Sequence, residues 1–263
     1  MAFLYTLCSS SKGNCSYVGD KKSGILIDAG VGIRAFTKDL QLNGINDNAV
    51  KAIFVTHEHC DHTKGLLSIS RKFSIPIYGS KKTLDALIKK NVVPDNATLF
   101  EINKKCVEIE NLQVSAFKTP HDSVHSLGYK IKTENDKSLC FCTDLGCVTD
   151  EVYQNLKSSD VVLLESNYDD MMLKYSDYPT VLKQRIKGVY GHLSNEMCSK
   201  TLTRLLNDGT KNFVLGHLSQ NNNKPELAMK SALDELSKSN AVLSKDYILT
   251  IAPAFTVGNS IEI

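Results

Sequence analysis

Short apolar runs separated by turn residues recur along most of the chain, and this pattern predicts β-strands. FLYTL (3–7) forms an opening strand, and residues 16–30 form a hairpin that turns at Lys22-Ser23-Gly24. Further strands are predicted at 52–56, 75–79, 97–102, 106–109, 112–118, 127–133, 138–143, 161–166, 212–217 and 247–252. The chain is therefore rich in strands from end to end.

Helical periodicity is confined to segments between these strands, where apolar residues recur every three to four positions. The apolar positions are Leu66, Leu67, Ile69 and Phe73 after the strand at 52–56; Leu84, Leu87 and Ile88 in a helix at 82–90; Cys198, Leu202 and Leu205 in a helix at 195–207; and Met229, Ala232, Leu233 and Leu236 in a helix at 225–238. Segment 168–192 has a mixed pattern. No low-complexity linker interrupts the chain, so we expect one α/β (α+β) domain over residues 1–263.

Composition narrows the class of protein only slightly. The chain has 263 residues, 42% apolar and 23% charged, with a net charge of +2, so its total charge demands neither a nucleic-acid nor a membrane partner. The start has no basic segment typical of a signal peptide, and no apolar run approaches the roughly 18–20 residues that span a bilayer. We expect a cytoplasmic protein whose eight cysteines are reduced thiols, because a chain of this length without a secretion signal fits reduced thiols better than disulfides. The sequence has no C-x-x-C pair, so we expect no structural zinc knuckle.

Three apolar strands end in residues that bind metals. AIFVTHEH and NFVLGH end in histidines, and SLCFCTDLG carries Asp144 at its end. Strand ends at one rim of a sheet are rigid positions from which side chains converge on a pocket. The sequence thus predicts a site assembled from distant strands.

The segment VTHEHCDHTKG (55–65) has the highest density of such residues. His57 and His59 are two positions apart, so in extended backbone both side chains point the same way and can share a cation. Asp61 and His62 follow at a predicted strand-to-helix turn, where a second cation could bind. A helical H-E-x-x-H protease site needs its histidines four residues apart, which excludes that class.

The H-x-H-x-D-H pattern resembles the signature of the metallo-β-lactamase superfamily. This resemblance implies an αββα sandwich of two mixed β-sheets flanked by helices. In LIDAG it implies that Asp28 supports the metal-binding loop. It further implies that His57, His59 and His121 bind one metal, that Asp61, His62 and His217 bind another, and that Asp144 bridges the two.

These ligand types suit zinc or manganese, and also iron. Seven ligands are too many for one tetrahedral zinc and suit two cations, which at about 3.5–4 Å apart share a hydroxide and clamp an in-line displacement. The pattern therefore favours hydrolysis. His125 could replace His121 as a ligand if the alignment shifts by four residues, and we expect Cys60 to bind no metal.

Three outer motifs resemble the WalJ/YycJ (VicX)-like group of this superfamily: SSSKGN (9–14), LLESNYD (163–169) and KGVYGHLSNE (187–196). Ser10 and Tyr168 depart from the group's pattern, which has glycine and histidine there. The resemblance implies a dinuclear metal-dependent phosphodiester hydrolase, a DNA exonuclease that uses a metal-bridging hydroxide as its nucleophile.

Within these motifs, His192 resembles a non-ligand histidine that phosphodiesterase branches direct at the phosphate. It would stabilise charge on phosphate oxygens or protonate the leaving alkoxide, so we count His192 as catalytic, together with the ligand Asp61. The alternative is a structural hydrogen bond at a helix start. Ser194 and Asn195 could cap that helix.

A DNA partner has weaker support in the sequence. Four cations and three tyrosines precede His192 and could track a nucleic-acid backbone and stack bases: Lys174, Lys183, Arg185, Lys187, Tyr175, Tyr178 and Tyr190. A solvated helix face explains the same charges. The alternative functions are a small-molecule hydrolase, either a cyclic phosphodiesterase or a glyoxalase-type thioesterase, and a non-catalytic signalling protein on the same fold.

Overall fold

The structure is a computed structural model that describes residues 2–103, 106–255 and 260–263. In these residues two seven-stranded β-sheets form the centre of the molecule. The first sheet has the order β14-β1-β2-β3-β4-β5-β6. Its strands are β1 (Phe3–Ser10), β2 (Gly13–Gly19), β3 (Gly24–Ile27), β4 (Val50–Phe54), β5 (Ile77–Gly79), β6 (Leu99–Glu101) and β14 (Ser260–Glu262).

The second sheet has the order β13-β12-β11-β10-β9-β8-β7. Neighbouring strands from β7 to β10 pair antiparallel, and neighbouring strands from β10 to β13 pair in parallel. The strands are β7 (Val107–Ile109), β8 (Leu112–Lys118), β9 (Leu127–Thr133), β10 (Ser138–Cys142), β11 (Val161–Glu165), β12 (Asn212–Gly216) and β13 (Ile248–Ile251).

Helices cover the outer faces of both sheets. They are α1 (Ile33–Leu42), α2 (Cys60–Thr63), α3 (Leu66–Phe73), α4 (Lys81–Lys89), α5 (Asp150–Leu156), α6 (Asp170–Tyr175), α7 (Thr180–Lys187), α8 (Asn195–Asn207) and α9 (Pro225–Leu236). Short 3-10 turns lie at Asp47–Ala49 and Ser237–Ser239. Among the residues that the structure describes, no helix combines the length and the apolar character needed to cross a membrane.

The hydrophobic core has three layers. Side chains such as Ile27, Phe54 and Leu163 fill the space between the sheets. A second layer lies under α1, α3 and α4, and a third lies under α5, α8 and α9. The resulting order, helices, sheet, sheet, helices, confirms the αββα sandwich that the sequence resemblance implied.

Several elements match the sequence pattern closely. Strand β11 is buried at every position, as its unbroken apolar run requires in a parallel sheet covered on both faces. Strands β8 and β9 have the predicted bounds. Helix α8 also has its predicted bounds, and it buries Cys198, Leu202 and Leu205 completely. These predictions are confirmed.

Other elements differ from expectation. The hairpin turn comes earlier than predicted, because Asp20 N–H donates to Ser23 O and Gly24 already belongs to β3. In α4, Ile88 is 51% exposed, so of the three predicted apolar positions Leu84 and Leu87 are the buried ones. Helices α1 and α5 were not predicted, and the mixed segment at 168–192 contains α6 and α7.

Candidate active site

His57, His59 and His121 form the first cluster of potential ligands, and one nitrogen from each lies within 4.8 Å of the others. His57 Nε2 is 2.9 Å from His59 Nδ1, a spacing that suits two nitrogens bound to one ion at about 2.0–2.1 Å each. His121 Nδ1–H donates to the Gly191 carbonyl at 3.0 Å. This hydrogen bond leaves His121 Nε2 available as a metal ligand.

Asp61, His62 and His217 form the second cluster. His62 Nδ1–H donates to Asp28 at 2.7 Å, and His62 Nε2 lies 3.3 Å from an oxygen of Asp61. Asp144 stands between the clusters, because its Oδ2 is 3.3 Å from His62 Nε2 and its Oδ1 is 3.8 Å from His121 Nε2. The structure thus brings together all seven residues predicted as ligands.

Left-handed backbone at strand ends aims two of the predicted ligands and also Asp28, which supports His62. Asp28 has φ of 60°, Asp144 has 58° and His217 has 52°. Such angles are uncommon for residues other than glycine and cost about 1–3 kcal/mol each when the surroundings enforce them. Asp28 is held by Thr56 N–H at 2.8 Å, and His217 N–H donates to Ser9 Oγ at 2.8 Å. Strained backbone is common at functional sites.

The turn between β1 and β2 lies close to the metal-binding loop and supports it from outside. A Cβ on Gly30 would stand only 1.7 Å from the Asp61 carbonyl oxygen, so this position excludes any side chain. Gly30 N–H donates to Asn14 O at 2.7 Å. The Asn14 amide in turn donates to Asp61 Oδ2 at 3.2 Å and to Ser10 O at 3.0 Å. The SSSKGN motif therefore positions Asp61.

Buried negative charge sets the electrostatics of the site. Burial alone lowers the pKa of His62, but Asp144, Asp28 and Asp61 outweigh burial and hold this pKa well above its ordinary value. Likewise, burial lowers the pKa of His217, while Asp144, Asp61 and Glu165 raise it to about 10. The pKa of His57 is well below its ordinary value because of burial and the neighbouring imidazoles. The carboxylates therefore require positive charge around them.

Two buried ligand atoms support cations as the source of that charge. Asp144 Oδ2 and His217 Nε2 have no hydrogen-bond partner among the residues described. Buried polar atoms without partners are costly unless an ion or water satisfies them. Oxygen and imidazole nitrogen together suit first-row divalent metals. The residues present therefore fit metal ions.

Glu165 is a functional residue that the sequence analysis missed. Its carboxylate is completely buried at the end of β11 and accepts from His192 Nδ1–H at 2.8 Å and His217 Nδ1–H at 2.7 Å. The backbone N–H groups of Leu193 and Leu145 donate to its other oxygen at 3.0 and 3.1 Å. A carboxylate at the end of a wholly apolar strand was the available signal, because such a charge is buried only with partners.

His192 lies at the edge of both clusters. Its side chain is 21% exposed, and its Nδ1 is 3.8 Å from Asp144 Oδ1. Burial lowers the pKa of His192, but Glu165 outweighs it and raises the pKa above the ordinary value. Since Nδ1–H is bonded to Glu165, Nε2 is the atom left for a ligand or substrate.

Other candidate residues have different positions. Cys60 is exposed at the start of α2, and neither Cys60 nor His125 belongs to a ligand cluster in the described residues. Tyr168 is buried, with Lys187 Nζ 6.0 Å from its ring centre. Ser194 caps α8 by accepting from Met197 N–H.

The expectation of a cap at Asn195 is wrong, because Asn195 is the first residue of α8 itself. Its side chain is instead buried in a polar network. Ser166 Oγ–H donates to Asn195 Oδ1 at 2.7 Å, and the amides of Asn195 and Asn223 bond each other.

Most cations of the proposed DNA surface already have partners. Lys183 Nζ donates to the carbonyls of Lys174 and Ser176. Arg185 pairs with Asp122 at 2.5 Å, and Lys187 pairs with Asp170 at 2.7 Å. By contrast, Tyr175 is 71% exposed and Tyr190 62% exposed. This surface therefore offers aromatic rings more than free charge.

Comparison with known proteins gives concordant matches. The sequence profile of the β-lactamase superfamily domain matches residues 24–218. The exodeoxyribonuclease YycJ of Bacillus anthracis is 34% identical over 234 residues, which are 88% of each chain. The exodeoxyribonuclease WalJ of Streptococcus pneumoniae is 32% identical, over 94% of this chain and 93% of its own. Among solved structures, the metallo-β-lactamase fold protein YhfI of Bacillus subtilis covers both chains fully with a TM-score of 0.74 at 14% identity.

Proposed function

We propose a function from the family: the chain belongs to the β-lactamase superfamily and is a WalJ/YycJ-like protein with the metallo-β-lactamase fold. The proposed activity is metal-dependent hydrolysis of phosphodiesters, by which the protein degrades DNA as an exonuclease. The names of the two relatives, which match most of this chain, support the substrate. The buried ligand clusters support the dependence on metal.

We propose two divalent cations, either Zn²⁺ or Mn²⁺. His57, His59 and His121 would hold one, and Asp61, His62 and His217 the other, with Asp144 shared. Cations bound there would supply Lewis acidity, which lowers the pKa of water and neutralises charge on a phosphate. Asp61 takes part through this binding, and Asp28 acts indirectly by fixing the ring of His62.

The single observation that carries the proposal is the hydrogen bond from His192 to the buried Glu165 carboxylate. It holds a proton on Nδ1 and, by raising the pKa of His192, favours a second proton on Nε2. His192 Nε2–H can then bind a phosphate oxygen or protonate the departing ester oxygen. Gly191 keeps this histidine beside the first cluster, since its carbonyl accepts from His121.

A proton donor at this place favours a phosphodiester over a thioester. The alkoxide that leaves from a DNA phosphodiester is strongly basic and gains from protonation, whereas a thiol with a pKa of about 8.5 leaves as a thiolate without that help. We therefore favour phosphodiester hydrolysis.

The test compares His192→Ala with wild type on bis-p-nitrophenyl phosphate and on DNA. The nitrophenolate of the small diester is a good leaving group, so loss of a proton donor should reduce DNA hydrolysis far more than hydrolysis of the small diester. Lys211→Ala is the control, because Lys211 is exposed and lies outside the ligand clusters of the described residues. Equal activity of His192→Ala and wild type on DNA would contradict the assigned role.

We further propose that the chain acts as one domain in the cytoplasm. The core shared by both sheets supports a single domain. The eight cysteines, all free in the part of the chain described, are consistent with a reducing compartment.

A further inference from the structure

A cavity of about 600 Å³ lies at the far end of the loop that carries His121. Its lining includes the apolar side chains of Ile102, Phe117 and Leu127, and also Lys82, Lys118 and His125. This combination of apolar floor and cationic rim is typical of a site for a ligand that has one flat apolar part and one anionic part. The metal clusters make no use of it.

The charge on its rim is available to a ligand. Lys82 and Lys118 are exposed, and neither forms an ion pair within 4 Å in the residues described. The neighbouring Lys81 differs, since it pairs with Asp85 at 2.7 Å. Lys82 and Lys118 line the same cavity as His125, and burial and then the charges of these two lysines lower the pKa of His125. The carboxylates of Glu101 and Glu151 also line the cavity and equal these two lysines in number.

A second cavity adjoins the first and borders the loop that carries His121. It has a volume of about 440 Å³, shares Lys118 and Glu151 with the first, and extends to Pro120 and Tyr190. Pro120 directly precedes His121, and Tyr190 O accepts from the N–H of Asp122 at 2.9 Å. We refer to these two adjoining cavities together as the groove; its second cavity borders the loop that bears a proposed metal ligand.

We infer that this groove binds the DNA strand beyond the scissile phosphate, with one nucleotide in the larger cavity. The base would lie against Phe117 and Leu127, a phosphate would lie between Lys82 and Lys118, and the exposed ring of Tyr190 would stack on an intervening base. This inference rests on the proposed function and adds a binding site to it.

The length of the loop limits which nucleotide is held. His121 and His125 are four residues apart, and four residues span at most about 14 Å. Stacked nucleotides rise about 3.4 Å each along one strand. The held nucleotide is therefore roughly two to four positions from the scissile phosphate.

The first test is the double variant Lys82→Ala/Lys118→Ala with single-stranded oligonucleotides. Loss of two phosphate-binding cations should raise KM roughly 10- to 30-fold at 0.15 M salt and reduce the slope of log KM against log salt by about 1.4. Hydrolysis of bis-p-nitrophenyl phosphate, which is too small to reach the cavity, should be unchanged. Lys38→Ala/Lys211→Ala is the control, because both lysines are exposed and line neither cavity.

The second test maps the strand directly. Oligonucleotides that carry 5-iododeoxyuridine at single positions are bound to Asp144→Ala protein, or to His192→Ala protein if the former does not fold, and irradiated. Crosslinks to Phe117 or His125 are expected only from positions about two to four nucleotides from the cleaved end.

The outcomes separate this inference from the proposed function. If wild type degrades DNA while the lysine variant keeps its KM and salt slope, or if crosslinks map elsewhere, the groove is wrong and the nuclease stands. If wild type leaves DNA intact, both are overturned. If the lysine variant loses activity on the small diester equally, its defect is not in strand binding and the inference fails.

Discussion

Replacement of Glu165 by Gln tests the buried carboxylate with almost no change of shape. One oxygen of Glu165 accepts from the rings of His192 and His217, and the other accepts from the N–H groups of Leu193 and Leu145. A carboxamide has only one acceptor oxygen. Whichever way the Gln amide is turned, its NH₂ group faces two donors.

The expected loss of stability follows from the two donors that Gln would leave without an acceptor. Each unsatisfied buried donor costs about 1–3 kcal/mol, so the free energy of unfolding should fall by about 2–6 kcal/mol. For a chain of this size, that loss corresponds to a Tm lower by about 5–20 °C. The pKa of His192 should also fall because its main raising influence is gone, and DNA hydrolysis should drop by about 10²–10⁴-fold.

The assay combines thermal melting of metal-loaded protein with initial rates of DNA hydrolysis from acid to alkaline pH. The alkaline limb of the pH profile should move to lower pH in Glu165→Gln, a shift that structural weakening alone does not produce. Glu196→Gln is the matched control, since Glu196 is exposed and pairs with Lys200 at 2.6 Å. A Glu165→Gln protein with wild-type melting and an unmoved pH limb would refute this reasoning.

Three further predictions concern the metal-binding loop and its charges. Metal-free protein should lose stability as pH rises above about 6.5, because folding raises the pKa of His217 from 6.5 to about 10. Protonated His217 contributes its full stabilisation of the folded state only below pH 6.5. Melting curves should show a falling Tm, and a flat or rising Tm up to a pH of about 8.5 would contradict this prediction. Gly30→Ala should lower Tm and bound metal, since its Cβ would meet Asp61 O at 1.7 Å, whereas Gly32→Ala, with nothing within 4 Å, should leave both unchanged. His125→Ala should retain the wild-type metal content by elemental analysis, and loss of an ion would restore His125 as a ligand.

The sequence revealed elements and residues whose signals are local. The spacing of Cys198, Leu202 and Leu205 defines α8 because a helix repeats its faces every 3.6 residues. The density of histidine and aspartate after β4 indicates a metal site because four residues of ligand type lie within six positions of the chain. Helix α1 carried a similar signal in Phe36 and Leu40, both completely buried, which the sequence analysis did not use.

Residues whose roles depend on distant partners were not predictable in this way. Glu165 receives hydrogen bonds from His192 and His217, which are 27 and 52 residues away. Asn195 resembles a helix cap in sequence, yet its amide binds Asn223 because β11 and α9 bring those polar groups to it. Tertiary contacts decide both cases.

The most direct measurement of the central claim is metal-dependent degradation of end-labelled DNA by wild type and by Asp144→Ala. The control is Asp136→Ala, because the Asp136 side chain is 96% exposed and belongs to no ligand cluster of the described residues. We predict stepwise loss of nucleotides from one end with Zn²⁺ or Mn²⁺, retained in Asp136→Ala and abolished in Asp144→Ala. Degradation that persists in Asp144→Ala, or that continues in the presence of a strong chelator, would contradict a metal-dependent nuclease at this site.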